Sequence, residues 1–90
     1  MTGPDFDSGA AWTLNPLVAL RDEAFGALAY HYGNRRLVFL KSRLLVSLVS
    51  ELGAYDSADD ALRALVPEGQ RSTYGRALSR LAASEVLCVR

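Results

Sequence analysis

The sequence predicts an α+β domain, a three-stranded antiparallel sheet followed by three helices. Two observations carry this reading. Between Glu23 and Lys41, two runs rich in aromatic and aliphatic residues flank Gly33-Asn34, the loop chemistry of a tight β-hairpin. From Ser42 onward the apolar residues recur at helical spacing, interrupted by cap and stop residues. Strand patterning therefore precedes helix patterning in the chain instead of alternating with it, which separates an α+β fold from an α/β one.

The 90 residues suit one domain, and half of them are hydrophobic while 22% are charged, so the chain buries a core and is not disordered as a whole. The longest unbroken apolar runs, such as Leu37 to Leu40, are far too short to span a bilayer. Met1 to Ala11, with Gly, Pro, Ser, Asp5 and Asp7, reads as a flexible lead-in without the basic start or apolar middle of a secretion signal. Residues 12–90 then form the domain, and a cytoplasmic location is expected. The single cysteine, Cys88, has no internal disulfide partner.

Trp12 to Leu14 begins the ordered part, Asn15-Pro16 forces a turn, and Leu17 to Arg21 is a short strand. Asp22-Glu23 turns that strand into the hairpin, giving a meander. With Gly33 and Asn34 as a two-residue loop carrying φ > 0, Tyr32 faces Arg35, Tyr30 faces Leu37 and Leu28 faces Phe39 on one side of the sheet. Phe25, Ala27, Ala29, His31, Arg36, Val38 and Leu40 take the other side. Both sides are largely apolar, whereas a sheet with one side in water alternates apolar and polar residues. Something beyond the hairpin's own core is thus expected to cover it. Because Leu37 to Leu40 leads straight into a helix, this strand suits a sheet edge, open to an added strand.

Ser42 is the expected N-cap of a helix from Arg43, whose Leu44, Leu45, Leu48, Val49 and Leu52 share one face and which Gly53 ends in the left-handed C′ position. Ser57, three residues before Asp60, caps a second helix from Ala58 to about Val66, stopped by Pro67. The adjacent Asp59 and Asp60 point about 100° apart on a helix and suit its positive end better than a paired-carboxylate site. A third helix, about Gln70 to Ser84, turns Tyr74, Ala77, Leu78 and Leu81 inward. Beside that stripe, Arg71, Gly75, Ser79 and Ala82 form a mostly small flank that admits another backbone. Val86 to Val89 is a short terminal strand or a packed extended tail.

Formal net charge is zero, yet the charges lie in blocks of −3 (1–34), +4 (35–45), −4 (46–69) and +3 (70–90). The edge strand and the third helix fall in or beside the two positive blocks, so a groove between them favours an acidic partner. His31 is the only histidine and has no companion at metal-ligand spacing. Neither a Gly-rich phosphate loop nor a nucleophile elbow is present, so neither catalysis nor a cofactor is expected.

At the residues FGALAYHYGNRRLVFLKS, LLVSLVSEL and YGRALSRLAASEVLCVR, the chain resembles the mycofactocin-biosynthesis peptide chaperones. These are stand-alone relatives of the PqqD chaperone of pyrroloquinoline-quinone biosynthesis, and the likeness covers roughly Trp12 to Arg90. The resemblance implies a winged-helix-like recognition element for ribosomally made, modified peptides, and a non-catalytic one. By it, the leader of the mycofactocin precursor adds as a strand along Leu37, Val38, Phe39 and Leu40 and lies against Arg71, Tyr74, Gly75 and Leu78. It also implies delivery of the peptide to a radical S-adenosylmethionine maturase, which holds the iron–sulfur clusters. Two positions depart from the PqqD pattern: Ala77 precedes Leu78 where a bulky aromatic is common, and Glu85 stands where a glycine precedes the last apolar residues.

The competing functional class is a winged-helix nucleic-acid binder that would use Arg71, Arg76 and Arg80 of the third helix. Zero net charge and the acidic second helix oppose it. A third reading is a dimer that pairs its open edge strands.

Overall fold

The computed structural model describes residues 6–90. The strands are β1 (Trp12–Leu14), β2 (Val18–Glu23), β3 (Gly26–His31), β4 (Leu37–Leu40) and β5 (Leu87–Val89). The helices are α1 (Arg43–Glu51), α2 (Ala58–Leu65) and α3 (Arg71–Ala83), with short 3-10 turns at Leu52–Ala54 and Glu68–Gln70. The expected meander forms as a three-stranded antiparallel sheet in the order β2-β3-β4, and three helices follow it. A second, two-stranded sheet joins β1 to β5 antiparallel, with Thr13 opposite Cys88. The two short end segments, each too short to be stable alone, clasp the domain by pairing with one another.

The register of the β3-β4 hairpin is the expected one, with Tyr30 opposite Leu37 and Leu28 opposite Phe39. Its loop is different. His31 N–H donates to Arg36 O at 2.9 Å and Arg35 N–H to His31 O at 2.7 Å, so four residues, Tyr32 to Arg35, make the turn. The left-handed residue is Arg35, at φ 64°, and neither Gly33 nor Asn34 has positive φ. The register survives because a four-residue loop centred between Gly33 and Asn34 leaves the same residues opposed. Buried His31 organises this turn: its Nδ1 accepts from Gly33 N–H at 2.9 Å and from Asn34 N–H at 3.1 Å.

The turn before the hairpin also moves. Asp22 and Glu23 stay in β2, Glu23 pairs with Gly26, and Ala24-Phe25 form the loop. Gly26 takes φ 151°, and a side chain there would run into the Leu40 carbonyl, so only glycine serves.

Ala27, Ala29, His31 and Leu40 face the core, joining Leu48, Val49, Leu52, Ala61, Leu62, Leu78, Leu81 and Val86 from the helices and the terminal segment. Ser42 caps α1, accepting from Leu45 N–H at 3.0 Å, and Ser57 caps α2, accepting from Asp60 N–H at 3.0 Å, both as expected. Gly53 does not end α1 in a left-handed cap; the chain tightens instead into the 3-10 turn. Its missing side chain has another use, since a Cβ there would stand 2.6 Å from Thr13 Oγ1, and β1 packs on this turn.

At the end of α3, Val86 N–H reaches Leu81 O and Glu85 N–H reaches Ala82 O, both at 2.9–3.0 Å, with Glu85 left-handed at φ 65°. This is the Schellman arrangement, closed by the buried contact pair Val86 and Leu81. Glu85 thus occupies a position whose backbone favours glycine.

Residues 1–5 of the expected loose lead-in lie outside the described residues. From Phe6 the chain is held: Phe6 packs tilted on Trp12 at 5.0 Å, Ala10 O accepts from Ala58 N–H, and Ser8 O accepts from Asp59 N–H. The lead-in serves in part as backbone acceptor for the free N–H groups that begin α2.

Candidate functional site

β4 lies at the edge of its sheet. Opposed residues in an antiparallel ladder alternate between pairs that exchange N–H···O=C bonds and pairs that do not. His31–Arg36 sits in the bonded phase, so Ala29–Val38 and Ala27–Leu40 are the bonded pairs. It follows that Leu37 and Phe39 aim their N–H and C=O groups at the open side of the strand. Val38 and Leu40 spend theirs on β3.

The side chains divide the other way. Leu40 is fully buried and Val38 half-buried against the core, whereas Leu37 and Phe39 stand exposed on the outer side of the sheet. The four residues expected at the site are therefore present on one edge, with backbone valence contributed by two and anchoring by the other two.

Where β4 passes into α1, a groove of about 190 Å³ separates it from α3 and is lined by Lys41, Ser42, Leu45, Thr73, Tyr74 and Ala77. Ser42 Oγ, besides capping α1, lies 3.0 Å from the Tyr74 hydroxyl. Lys41 brings a cation to the rim, and Leu45 and Ala77 make the lining apolar.

Of the α3 residues expected on this wall, Tyr74 is there. Leu78 is fully buried and supports the wall from within the core. Arg71 and Gly75 belong elsewhere: they line a larger cleft of about 600 Å³ between α2, α3 and the lead-in, with Phe6, Asp59 and Arg76. Arg71 is engaged there, its Nε donating to Val66 O at 2.9 Å and its Nη2 to Arg63 O at 3.1 Å, which satisfies carbonyls at the end of α2. The small flank of α3 thus faces α2, and Thr73 and Ala77 take the places on the groove expected for Arg71 and Gly75. The signal for this was available at helical spacing, since Thr73, Tyr74 and Ala77 lie within one turn of each other on a single flank.

Among the described residues no helix is long and apolar enough to cross a membrane, and no cluster of metal-ligating side chains occurs. The fold and groove define a small α+β domain that sets an open strand edge beside a half-buried helix. Within that class the chain belongs to the peptide chaperone MftB family, whose family model matches residues 11–88. It is 44% identical over 87 residues to the peptide chaperone MftB of Mycobacterium tuberculosis, covering 96% of this chain and 80% of that one. To the peptide chaperone MftB of Mycobacterium ulcerans it is 42% identical over 91% of this chain and 76% of that one, and to that of Mycolicibacterium smegmatis 43% identical over 91% and 81%. No solved structure matches the chain. The resemblance read from the sequence motifs is thus confirmed, and the family is one of non-catalytic peptide chaperones.

Proposed function

We propose that this protein captures the leader of the mycofactocin precursor peptide as an added strand on β4 and presents it, in the cytoplasm, to the radical S-adenosylmethionine maturase. The observation that carries the reading is the open edge itself. Leu37 and Phe39 offer backbone donors and acceptors along a strand that leads, through Lys41 and Ser42, into a groove walled by Tyr74, Thr73 and Ala77. Backbone pairing supplies affinity without regard to sequence, and alternate side chains of the added strand meet the groove, which supplies selectivity. That the relatives are peptide chaperones favours a peptide occupant. The nucleic-acid reading loses one of its three cations, because Arg71 is committed to α2 carbonyls.

Calorimetric titration with the synthetic leader, against a scrambled leader, tests the proposal. One-to-one binding at micromolar affinity or tighter is expected for the leader alone. Equal binding of both peptides, or of neither with the maturase present, overturns it.

A further inference from the structure

Among the described residues nothing covers the outer side of the main sheet. Leu28, Tyr30, Leu37 and Phe39 lie on it with Tyr32 of the hairpin turn, and Phe25, expected on the opposite side, joins them because Ala24-Phe25 form a loop instead of continuing the strand; Tyr32, Leu37, Phe39 and Phe25 are 63%, 55%, 54% and 44% exposed. The helices and the core occupy the opposite side. These residues form a connected surface: the Phe25 and Phe39 rings pack at 5.8 Å, and Tyr30 meets Tyr32 edge-on at 4.9 Å. An exposed face of this continuity marks an interaction site, whereas single exposed apolar residues do not. Its aromatic and arginine content is that of an interface core.

The charges on this side are few. Arg21 and Glu23 pair with one another at 3.2 Å, and Arg35, exposed in the hairpin turn that borders the face after Tyr32, has no ion-pair partner among the described residues. The complementary surface is therefore apolar with a carboxylate placed opposite Arg35. The face is also continuous with the peptide-binding edge, because Leu37 and Phe39 direct their side chains to the face and their backbone groups to the edge. A strand added to β4 has every second side chain on this same side. Whatever covers the face touches the bound peptide as well.

We infer that the outer sheet face is the docking surface for the enzyme that modifies the bound peptide, through an apolar patch bearing a carboxylate for Arg35. The identity of the occupant rests on the function proposed above. Phe25, Tyr32 and Arg35 lie outside both β4 and the groove lining, so substituting them leaves the strand edge and the groove in place.

The experiment compares the wild type with Phe25→Glu/Tyr32→Glu and, separately, with Arg35→Glu, after circular dichroism confirms that each is folded. Leader affinity is measured by calorimetry, and affinity for the radical S-adenosylmethionine maturase by interferometry with and without leader. Leader affinity is expected to change less than twofold, while maturase affinity falls at least tenfold in the double variant and about threefold to tenfold in Arg35→Glu. The inference is overturned if both variants bind the maturase like the wild type, or if the wild type does not bind it at all. It is equally overturned if the wild type sediments as a concentration-dependent dimer that the substitutions disperse, since a second copy then covers the face. A wild type that binds the maturase but not the leader, with the variants losing the former, upholds the face and removes the groove assignment instead.

Discussion

Ser42 Oγ stands 3.0 Å from the Tyr74 hydroxyl while accepting the Leu45 N–H at 3.0 Å, so one side chain both starts α1 and ties the end of β4 to α3. The width of the groove is set by this pair. Tyr74→Phe keeps the helix cap and loses only the hydroxyl contact, and is expected to cost about 0.5–1.5 kcal/mol in urea unfolding. Ser42→Ala loses the cap as well and is expected to cost about 1–2 kcal/mol. A double-mutant cycle on the two should give a coupling well above experimental error, and a coupling near zero would refute the tie.

The phase of the β4 ladder predicts opposite outcomes for prolines at adjacent positions. Phe39→Pro removes an N–H aimed at the open side, so the fold should persist while leader binding weakens at least tenfold. Phe39→Ala, the control for the lost ring, should bind the leader within a few-fold of wild type. Val38→Pro removes an N–H bonded to β3 and should unfold or strongly destabilise the hairpin before any binding question arises. Thermal melts and calorimetry on the three separate the edge from the ladder.

Glu85 is left-handed in a Schellman turn, at φ 65°. Glu85→Gly should therefore stabilise the domain by about 1 kcal/mol, a rise of about 4–8 °C in Tm for a chain of this size. An unchanged or lower Tm would mean that the Glu85 side chain supplies contacts beyond its backbone.

Two glycines should answer alanine in opposite directions. At Gly75 the nearest atom to an added Cβ is Leu62 Cδ1 at 3.8 Å, ordinary contact, so Gly75→Ala should stabilise α3 by about 0.5–1 kcal/mol and leave leader binding intact. At Gly53 the same group meets Thr13 Oγ1 at 2.6 Å, so Gly53→Ala should destabilise and loosen the β1-β5 clasp. Hydrogen exchange in Trp12–Leu14 reads the second effect directly.

Raising salt into the molar range should weaken leader binding several-fold without abolishing it. Screening removes attraction to Lys41 at the groove but leaves strand pairing and apolar contact in place. No dependence on salt would remove electrostatics from recognition.

The patterned parts of this chain determine their own structure. Ser42 and Ser57 cap their helices because an N-cap hydroxyl needs only the next turn of its own chain, and Leu28 meets Phe39 because alternation and loop position set register locally. The family too was written in short motifs around the hairpin and α3. Tertiary packing decided the rest. Which apolar side of the hairpin is buried depends on where α1 and α3 land, and both sides are hydrophobic enough to serve. Gly53 matched a helix stop, but its φ is ordinary and its role is the approach of Thr13, forty residues away in sequence. Arg71 matched a groove residue, but the carbonyls of Arg63 and Val66 claim its guanidinium once α2 and α3 meet. A residue's partner within one turn or one ladder is dictated by covalent geometry; a partner reached through the fold is chosen by whichever surface the core leaves open.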